Sequence, residues 1–209
     1  MMREGDINRL KAYVREGGIY VGGYWSGIVN ETDLCYLGEN PLHDMLGVTA
    51  EEIDVLSPSH HNAVSWDGRQ YDASDLNEIC HIHGAKPLAL YTDDYYKGLP
   101  ALMKNQYGKG TAYYIAARMG EDFQTDFFTR LCQSQGFGNG VCDALPDGVT
   151  VSCREDEKGQ RRCWFVQNFN AFPTELKLRR PFCDVFGKKQ IAETLLLSAY
   201  GYAVLAENE

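Results

Sequence analysis

Hydrophobic positions near the start of the chain change from a helical period to a strand period within a few residues. Ile7, Leu10 and Val14 recur at helical spacing after Asp6, a favourable N-cap residue, and a Gly-Gly pair ends the pattern. The sequence therefore predicts a helix over residues 6–16. A short apolar run follows, closed by a second Gly-Gly pair. Helix, glycine and short apolar strand in this order are typical of a parallel α/β sheet.

A long polar segment, residues 24–40, comes next and contains Tyr24, Trp25 and Asp33. Loops of this length inside compact domains are usually functional or interfacial. Trp and Tyr are also favoured anchors in protein interfaces. We therefore interpret Tyr24, Trp25 and Asp33 as candidate interface residues. The alternative is that they pack on their own domain, as apolar loop residues mostly do.

Strand patterns dominate the rest of the chain, apart from a second amphipathic helix predicted over residues 121–135. Beyond about residue 145 only strand candidates separated by turn residues occur, which indicates a small antiparallel β-sandwich. The predicted strands before the helix cover residues 52–56, 63–66, 78–83, 87–91, 99–105 and 111–116, the last two forming a hairpin.

Composition and charge exclude several functional classes. The chain has 209 residues, of which 44% are apolar and 23% charged, and its net charge is −9. The acidic balance and the lack of a basic stripe argue against a nucleic-acid partner. No apolar run approaches the roughly 18–20 residues that span a bilayer. We therefore expect no membrane partner and a cytoplasmic location.

The sequence gives only weak evidence for catalytic or metal-binding residues. His81 and His83 share a strand face, but a metal site needs three or four converging ligands, and the seven cysteines have no C-x-x-C spacing. Ser26 follows a strand, yet the glycines around it do not match a nucleophile elbow. Asp93 and Asp94 are adjacent and fit a polar turn. We predict no catalytic residue, no metal site and no cofactor.

Several blocks of sequence are similar to one enzyme family. The run LKAYVREGGIYVGGYWSGIVNETDL, at residues 10–34, resembles the middle of the trimerisation domain of glycoside hydrolase family 42 β-galactosidases. Leu-Gly pairs and an EEID run continue the likeness, followed by QYGKGTAYYIAAR at 106–118 and the helix after it. LPDGV at 145–149 and LSAYGYAVL at 197–205 resemble the start and end of the family's small C-terminal domain.

The resemblance implies a fold and a function. Residues 1–143 would form a doubly wound, amidotransferase-like (flavodoxin-like) three-layer α/β domain, incomplete at its N-terminus, and residues 144–209 a small all-β domain. Family members carry a catalytic (β/α)₈ barrel before these domains, and the chain contains no such barrel. The resemblance implies a non-catalytic assembly region, trimeric with copies of itself, of a retaining β-galactosidase. The galactoside would contact only the barrel.

Two other functions remain open. Tyr-rich strands of the C-terminal domain, with Trp164, Tyr200 and Tyr202, could form a sugar platform, which would make the chain a carbohydrate-binding module. The amidotransferase-like fold could also belong to a stand-alone enzyme, although the missing nucleophile motif argues against it.

Overall fold

The computed structural model describes residues 1–159 and 161–207, which form two compact units, Met1–Phe128 and Thr129–Glu209. The helices are α1 (Glu4–Arg15), α2 (His43–Leu46) and α3 (Glu121–Ser134). The strands of the first unit are β1 (Ile19–Gly23), β2 (Val48–Val55), β3 (Asn62–Trp66), β4 (Arg69–Ile82), β5 (Lys86–Tyr91), β6 (Pro100–Tyr107), β7 (Gly110–Ile115) and β8 (Ala117–Met119). Those of the second are β9 (Val149–Glu155), β10 (Arg162–Asn168), β11 (Thr174–Lys177), β12 (Phe182–Asp184), β13 (Lys189–Ile191), β14 (Thr194–Leu197) and β15 (Tyr202–Glu207).

The first unit is built on one mixed sheet with the order β1-β7-β6-β5-β3-β4-β2, and β8 pairs with β4 beside this path. Only β1 and β7 are parallel among the described strand pairs of this sheet. The predicted doubly wound parallel sheet is therefore wrong for most of this unit. The physical reason is the short connections, such as the two residues between β6 and β7, since a hairpin of this length joins only antiparallel strands.

Helices cover both faces of this sheet. Alternate residues of β7 point to opposite faces, so Tyr114 joins the core under α1 and α2 whereas Tyr113 faces α3. The α1 and α2 side of that core contains Val14 and Met45, both fully buried. On the other face Phe127 of α3 meets the Tyr113 ring at 5.5 Å. The C-terminal end of β1, at Gly23, leads directly into the polar segment at residues 24–40.

The predicted helices are present, with corrected ends. Helix α1 begins at Glu4, and its N-cap is Arg3, which makes no side-chain cap. The predicted cap, Asp6, lies inside the first turn, where a carboxylate interacts favourably with the helix dipole. The end of α1 approaches β7 so closely that a Cβ at Gly110 would lie 2.0 Å from the Val14 carbonyl oxygen. Only glycine permits this contact.

Strand β4 is much longer than predicted. It has 14 residues, whereas alternation predicts a strand only over 78–83. The pairing of β4 with β8 is irregular between Ser74 and Asn77, and Asp75 has a positive φ of 54°. This irregularity interrupts the alternation of polar and apolar positions, so the sequence pattern conceals the first part of the strand.

The second unit contains only antiparallel pairs among its described strands. A five-stranded sheet has the order β13-β12-β15-β10-β9, and β11 pairs with β14 separately. Its core combines Trp164 and Leu205 of the larger sheet with Leu176 and Leu195 of the smaller one. An antiparallel all-β arrangement agrees with the sequence prediction for this part of the chain.

The predicted domain boundary after residue 143 stays a prediction. Val141 and Cys142, which precede it, are buried in the core of the second unit. Separately, none of the helices in residues 1–159 and 161–207 has the length and apolarity needed to cross a membrane.

Candidate functional site

The loop between β1 and α2 exposes large apolar side chains. Trp25 is 48% exposed, Leu34 64% and Leu37 102%. A concentration of exposed apolar residues in one loop is typical of an interaction surface, because it gains free energy when a partner covers it. We call residues 24–40 the β1–α2 loop.

Hydrogen bonds give the middle of this loop a defined conformation. The Asn30 Oδ1 atom accepts hydrogen bonds from the backbone N–H groups of Thr32, at 2.9 Å, and Leu34, at 3.0 Å. Val29 and Cys35 form an antiparallel bridge around this turn. Asp33 lies at the turn with a positive φ of 62° and an exposed side chain. Its carboxylate is therefore presented from an ordered backbone.

The start of the loop is held from inside the sheet. Trp25 has a positive φ of 62°, which is unusual for a bulky residue. Its backbone N–H donates a hydrogen bond of 3.0 Å to the Oε1 atom of Glu78 on β4. The Tyr114 hydroxyl donates to the other oxygen, Oε2, at 2.6 Å. Both oxygens of the Glu78 carboxylate therefore accept a hydrogen bond, and one of these bonds comes from the loop.

Glu78 is fully buried, with 0% of its surface exposed. Burial raises the pKa of its carboxyl above the ordinary range, while the hydrogen bonds from Tyr114 and from the Trp25 N–H act in the opposite direction. A buried acid of this kind is expensive unless it is hydrogen-bonded. Its location indicates a specific role for the carboxylate.

The three predicted interface residues all lie on the loop and differ in exposure. Trp25 and Asp33 are exposed, and Tyr24 is half-buried. The rings of Tyr24 and Trp25 meet edge to face, with centroids 6.5 Å apart. Whether a partner contacts them stays a prediction.

Sequence reasoning missed Glu78, because a glutamate in an alternating strand is usually solvent-facing. A signal was nevertheless present. Asn77 and Glu78 are adjacent on β4, so their side chains point to opposite faces of the sheet. At most one of the two can therefore lie on a solvent-exposed face if the other face is packed. Both are fully buried.

The sugar platform suggested for the second unit is wrong in its central residue. Trp164 is only 3% exposed and packs edge to face on Phe182, with ring centroids 5.4 Å apart. Alternation along β10 is the reason, since Trp164 and Val166 both point into the core. Tyr200 and Tyr202 are exposed, at 71% and 68%.

The weaker candidates are dispersed over the first unit. His81 contacts Glu51 on β2, and His83 is exposed. Asp93 and Asp94 precede Tyr95 in a turn, where Asp94 has a positive φ of 65°. Within the described ranges there is no group of three or more His, Cys, Asp or Glu side chains that could hold a metal ion.

Comparison with known proteins assigns the chain to a family. Residues 1–137, which include the β1–α2 loop and Glu78, match the family model described as the beta-galactosidase trimerisation domain. The chain belongs to this family. The match ends within the second compact unit, so it includes the whole of the first.

Relatives extend the similarity to nearly the whole chain. The beta-galactosidase BglY of Alicyclobacillus acidocaldarius is 38% identical over 98% of this chain. Pbg of Clostridium perfringens, also a beta-galactosidase, is 34% identical over 98%. The chain spans 31% of the length of each of these relatives.

Solved structures agree. The beta-galactosidase from Rahnella sp. R3 shares 41% identity and a TM-score of 0.86, over 99% of this chain and 31% of its own. An alpha-L-fucosidase from Paenibacillus thiaminolyticus is similar over 100% of this chain and 40% of its own, with a TM-score of 0.63. At 16% identity, that second likeness concerns the fold alone.

Proposed function

We propose that this chain is the assembly and C-terminal region of a longer β-galactosidase, and that it contributes no catalytic group. Copies of the chain associate as a homotrimer through the β1–α2 loop, with Tyr24, Trp25 and Asp33 in the interface. The single observation that carries the proposal is the family match over residues 1–137, which contains the loop with its exposed aromatic side chain.

The proposed contact surface has two parts that suit an interface. The half-exposed Trp25 supplies apolar area, and burial of such aromatic residues often dominates the energy of association. Asp33 supplies a charge at a defined position, which favours one orientation over others. An ordered loop also loses less conformational entropy on binding than a flexible one.

The finer predictions about the parent protein belong to this proposal. The parent hydrolyses terminal β-galactosides, with both catalytic carboxylates outside these residues. The α1–β1 unit and its parallel partner β7 support an amidotransferase-like fold for this part of the first domain. The domain boundary after residue 143 is a further part of the proposal. The cytoplasmic location and the absence of nucleic-acid and membrane partners stay predictions.

The self-association is tested by sedimentation velocity on the wild type, Trp25→Ala and Phe186→Ala. Phe186 is a matched control, because it is a large aromatic residue, 72% exposed, on a turn of the second unit. We expect Trp25→Ala to weaken association by about tenfold or more and Phe186→Ala to leave it unchanged. Equal effects of the two variants would contradict a specific role for the loop.

The lack of catalysis is tested with a chromogenic β-galactoside. We expect no turnover by the purified chain, since glycoside hydrolysis needs two carboxylates across a sugar-binding cleft. Measurable hydrolysis by the chain, lost on substitution of one of its own acids, would contradict the proposal.

A further inference from the structure

We infer that Glu78 is a positioning residue for self-association: its buried carboxylate holds the Trp25 backbone in the conformation that presents the indole to a second copy of this chain. The inference rests on the proposed function, in which Trp25 is an interface residue. It adds a residue that makes no contact with the partner and acts only through Trp25.

The backbone of Trp25 needs a specific partner to hold its conformation. Its φ of 62° lies in the left-handed region, which bulky residues rarely occupy unless their surroundings impose it. The hydrogen bond from its N–H to Glu78 is such a constraint. A bond to a carboxylate is also stronger than one between neutral groups.

A hydrogen bond from within the sheet helps to orient the carboxylate. Glu78 lies on β4 and Tyr114 on β7, and Tyr114 is itself buried in the core beneath α1 and α2, with 3% of its surface exposed. The Tyr114 hydroxyl fixes Oε2, which leaves Oε1 directed at the Trp25 N–H. The sheet thus acts as a template for the loop.

Packing alone does not explain an acid at this position. A buried carboxylate is costly, and an apolar residue would fill the same space without that penalty. Burial also raises the pKa of Glu78, because desolvation disfavours the charged form of the carboxyl group. A carboxylate at this position is explained if its oxygen is needed to accept the hydrogen bond from the Trp25 N–H on the loop.

A double-mutant cycle between Glu78 and Trp25 tests the inference. We expect Glu78→Ala to weaken self-association about tenfold, and Glu78→Gln, which keeps an uncharged acceptor, to weaken it less. In a Trp25→Ala background, where the indole is already gone, neither substitution should weaken association further. Dissociation constants are measured by sedimentation equilibrium.

Tyr114→Phe supplies a second route that retains Glu78, in case Glu78→Ala does not fold. It frees the carboxylate to rotate, so it should also weaken association. Tyr91→Phe is its matched control, because the Tyr91 hydroxyl is buried beside Glu78 but donates to the backbone oxygens of Glu78 and Ala116. We expect Tyr91→Phe to leave the dissociation constant unchanged.

Hydrogen exchange of the Trp25 amide reports on positioning directly. Exchange should accelerate in Tyr114→Phe and Glu78→Gln and stay at the wild-type rate in Tyr91→Phe. A wild type that does not self-associate overturns the proposed function and this inference with it. A self-associating wild type in which the effects of Glu78 and Trp25 substitutions are additive, or the amide exchange is unchanged, overturns the inference alone.

Discussion

Each of the two compact units buries a polar side chain that fixes a loop, but the chemistry differs. In the first unit the carboxyl group of Glu78 accepts a hydrogen bond from the Trp25 N–H, and the loop that it holds exposes an indole. In the second, the Asn168 amide donates to the backbone oxygens of Phe172 and Ser198, both at 2.9 Å. A neutral amide is sufficient to connect turns within a packed domain.

Two tryptophans, one from each unit, also differ in burial. The tryptophan of the second unit, Trp164, is buried against Phe182, whereas Trp25 of the first unit is half-exposed. The second unit therefore uses its tryptophan for packing, and the first unit presents one at its surface. The comparison teaches that a buried carboxyl group is informative when its hydrogen bond supports the backbone of an exposed apolar residue. The predictions below test this contrast.

The largest effect is expected at Trp164. Trp164→Ala should lower the free energy of unfolding of the second unit by about 3–5 kcal/mol, because it leaves a large cavity in the core. Tyr202→Ala, at an exposed aromatic residue on the adjacent strand, should change it by less than about 0.5 kcal/mol. The measurement is urea denaturation. Similar effects of both variants would mean that Trp164 is not a core residue.

Glu78→Ala should have a smaller effect on the first unit. It leaves the Tyr114 hydroxyl and the Trp25 N–H without their acceptor, at a net cost of about 1–3 kcal/mol. Glu51→Ala, which removes an exposed acid from the neighbouring strand β2, should change stability by less than about 0.5 kcal/mol. A stabilised Glu78→Ala would show that the carboxylate makes no useful hydrogen bond.

The stability of Glu78→Gln relative to the wild type should depend on pH. Burial raises the folded-state pKa of Glu78, so the folded wild type holds its proton more tightly than the unfolded chain. The wild type therefore loses stability as pH rises above about 4.3, the unfolded value, towards the folded pKa. The glutamine does not titrate, so the difference in unfolding free energy should shift in favour of the variant with rising pH. Denaturation at several pH values checks this, and an opposite slope would contradict the raised pKa.

The smallest effect is expected at Arg180. Its guanidinium lies over the rings of Trp164, at 5.6 Å, and Phe182, at 5.3 Å, and it pairs with Glu207. Because this side chain is about half exposed, Arg180→Ala should cost about 0.5–1 kcal/mol. Arg180→Lys, which retains the charge, should recover part of the loss. If Arg180→Ala lowered the unfolding free energy as much as Trp164→Ala, the stability of the second unit would depend on this surface side chain as strongly as on its core.

Local patterns predicted the local elements well. The helix after Gly120, the β6–β7 hairpin and the antiparallel strands of the second unit follow from periodicity and turn residues over a few neighbouring positions. The expected parallel sheet was wrong because strand direction depends on how distant segments pair. A pattern of short strands separated by turns already favoured antiparallel neighbours.

The candidate site was predicted only in part. Tyr24, Trp25 and Asp33 were selected from the length and composition of their loop, and the structure places Trp25 and Asp33 on the surface. Glu78 contacts Trp25 although the two residues are 53 positions apart in the sequence. No local pattern reports a contact across that distance. Only the sheet pairing brings the two residues together.

The most direct test of the central claim is the solution mass of the purified chain, measured by light scattering over a range of concentrations. The self-association account predicts a species of three times the 23.5 kDa mass of one chain. It also predicts that Trp25→Ala shifts the equilibrium towards the monomer. A mass of 23.5 kDa for the wild type at every concentration would contradict the account.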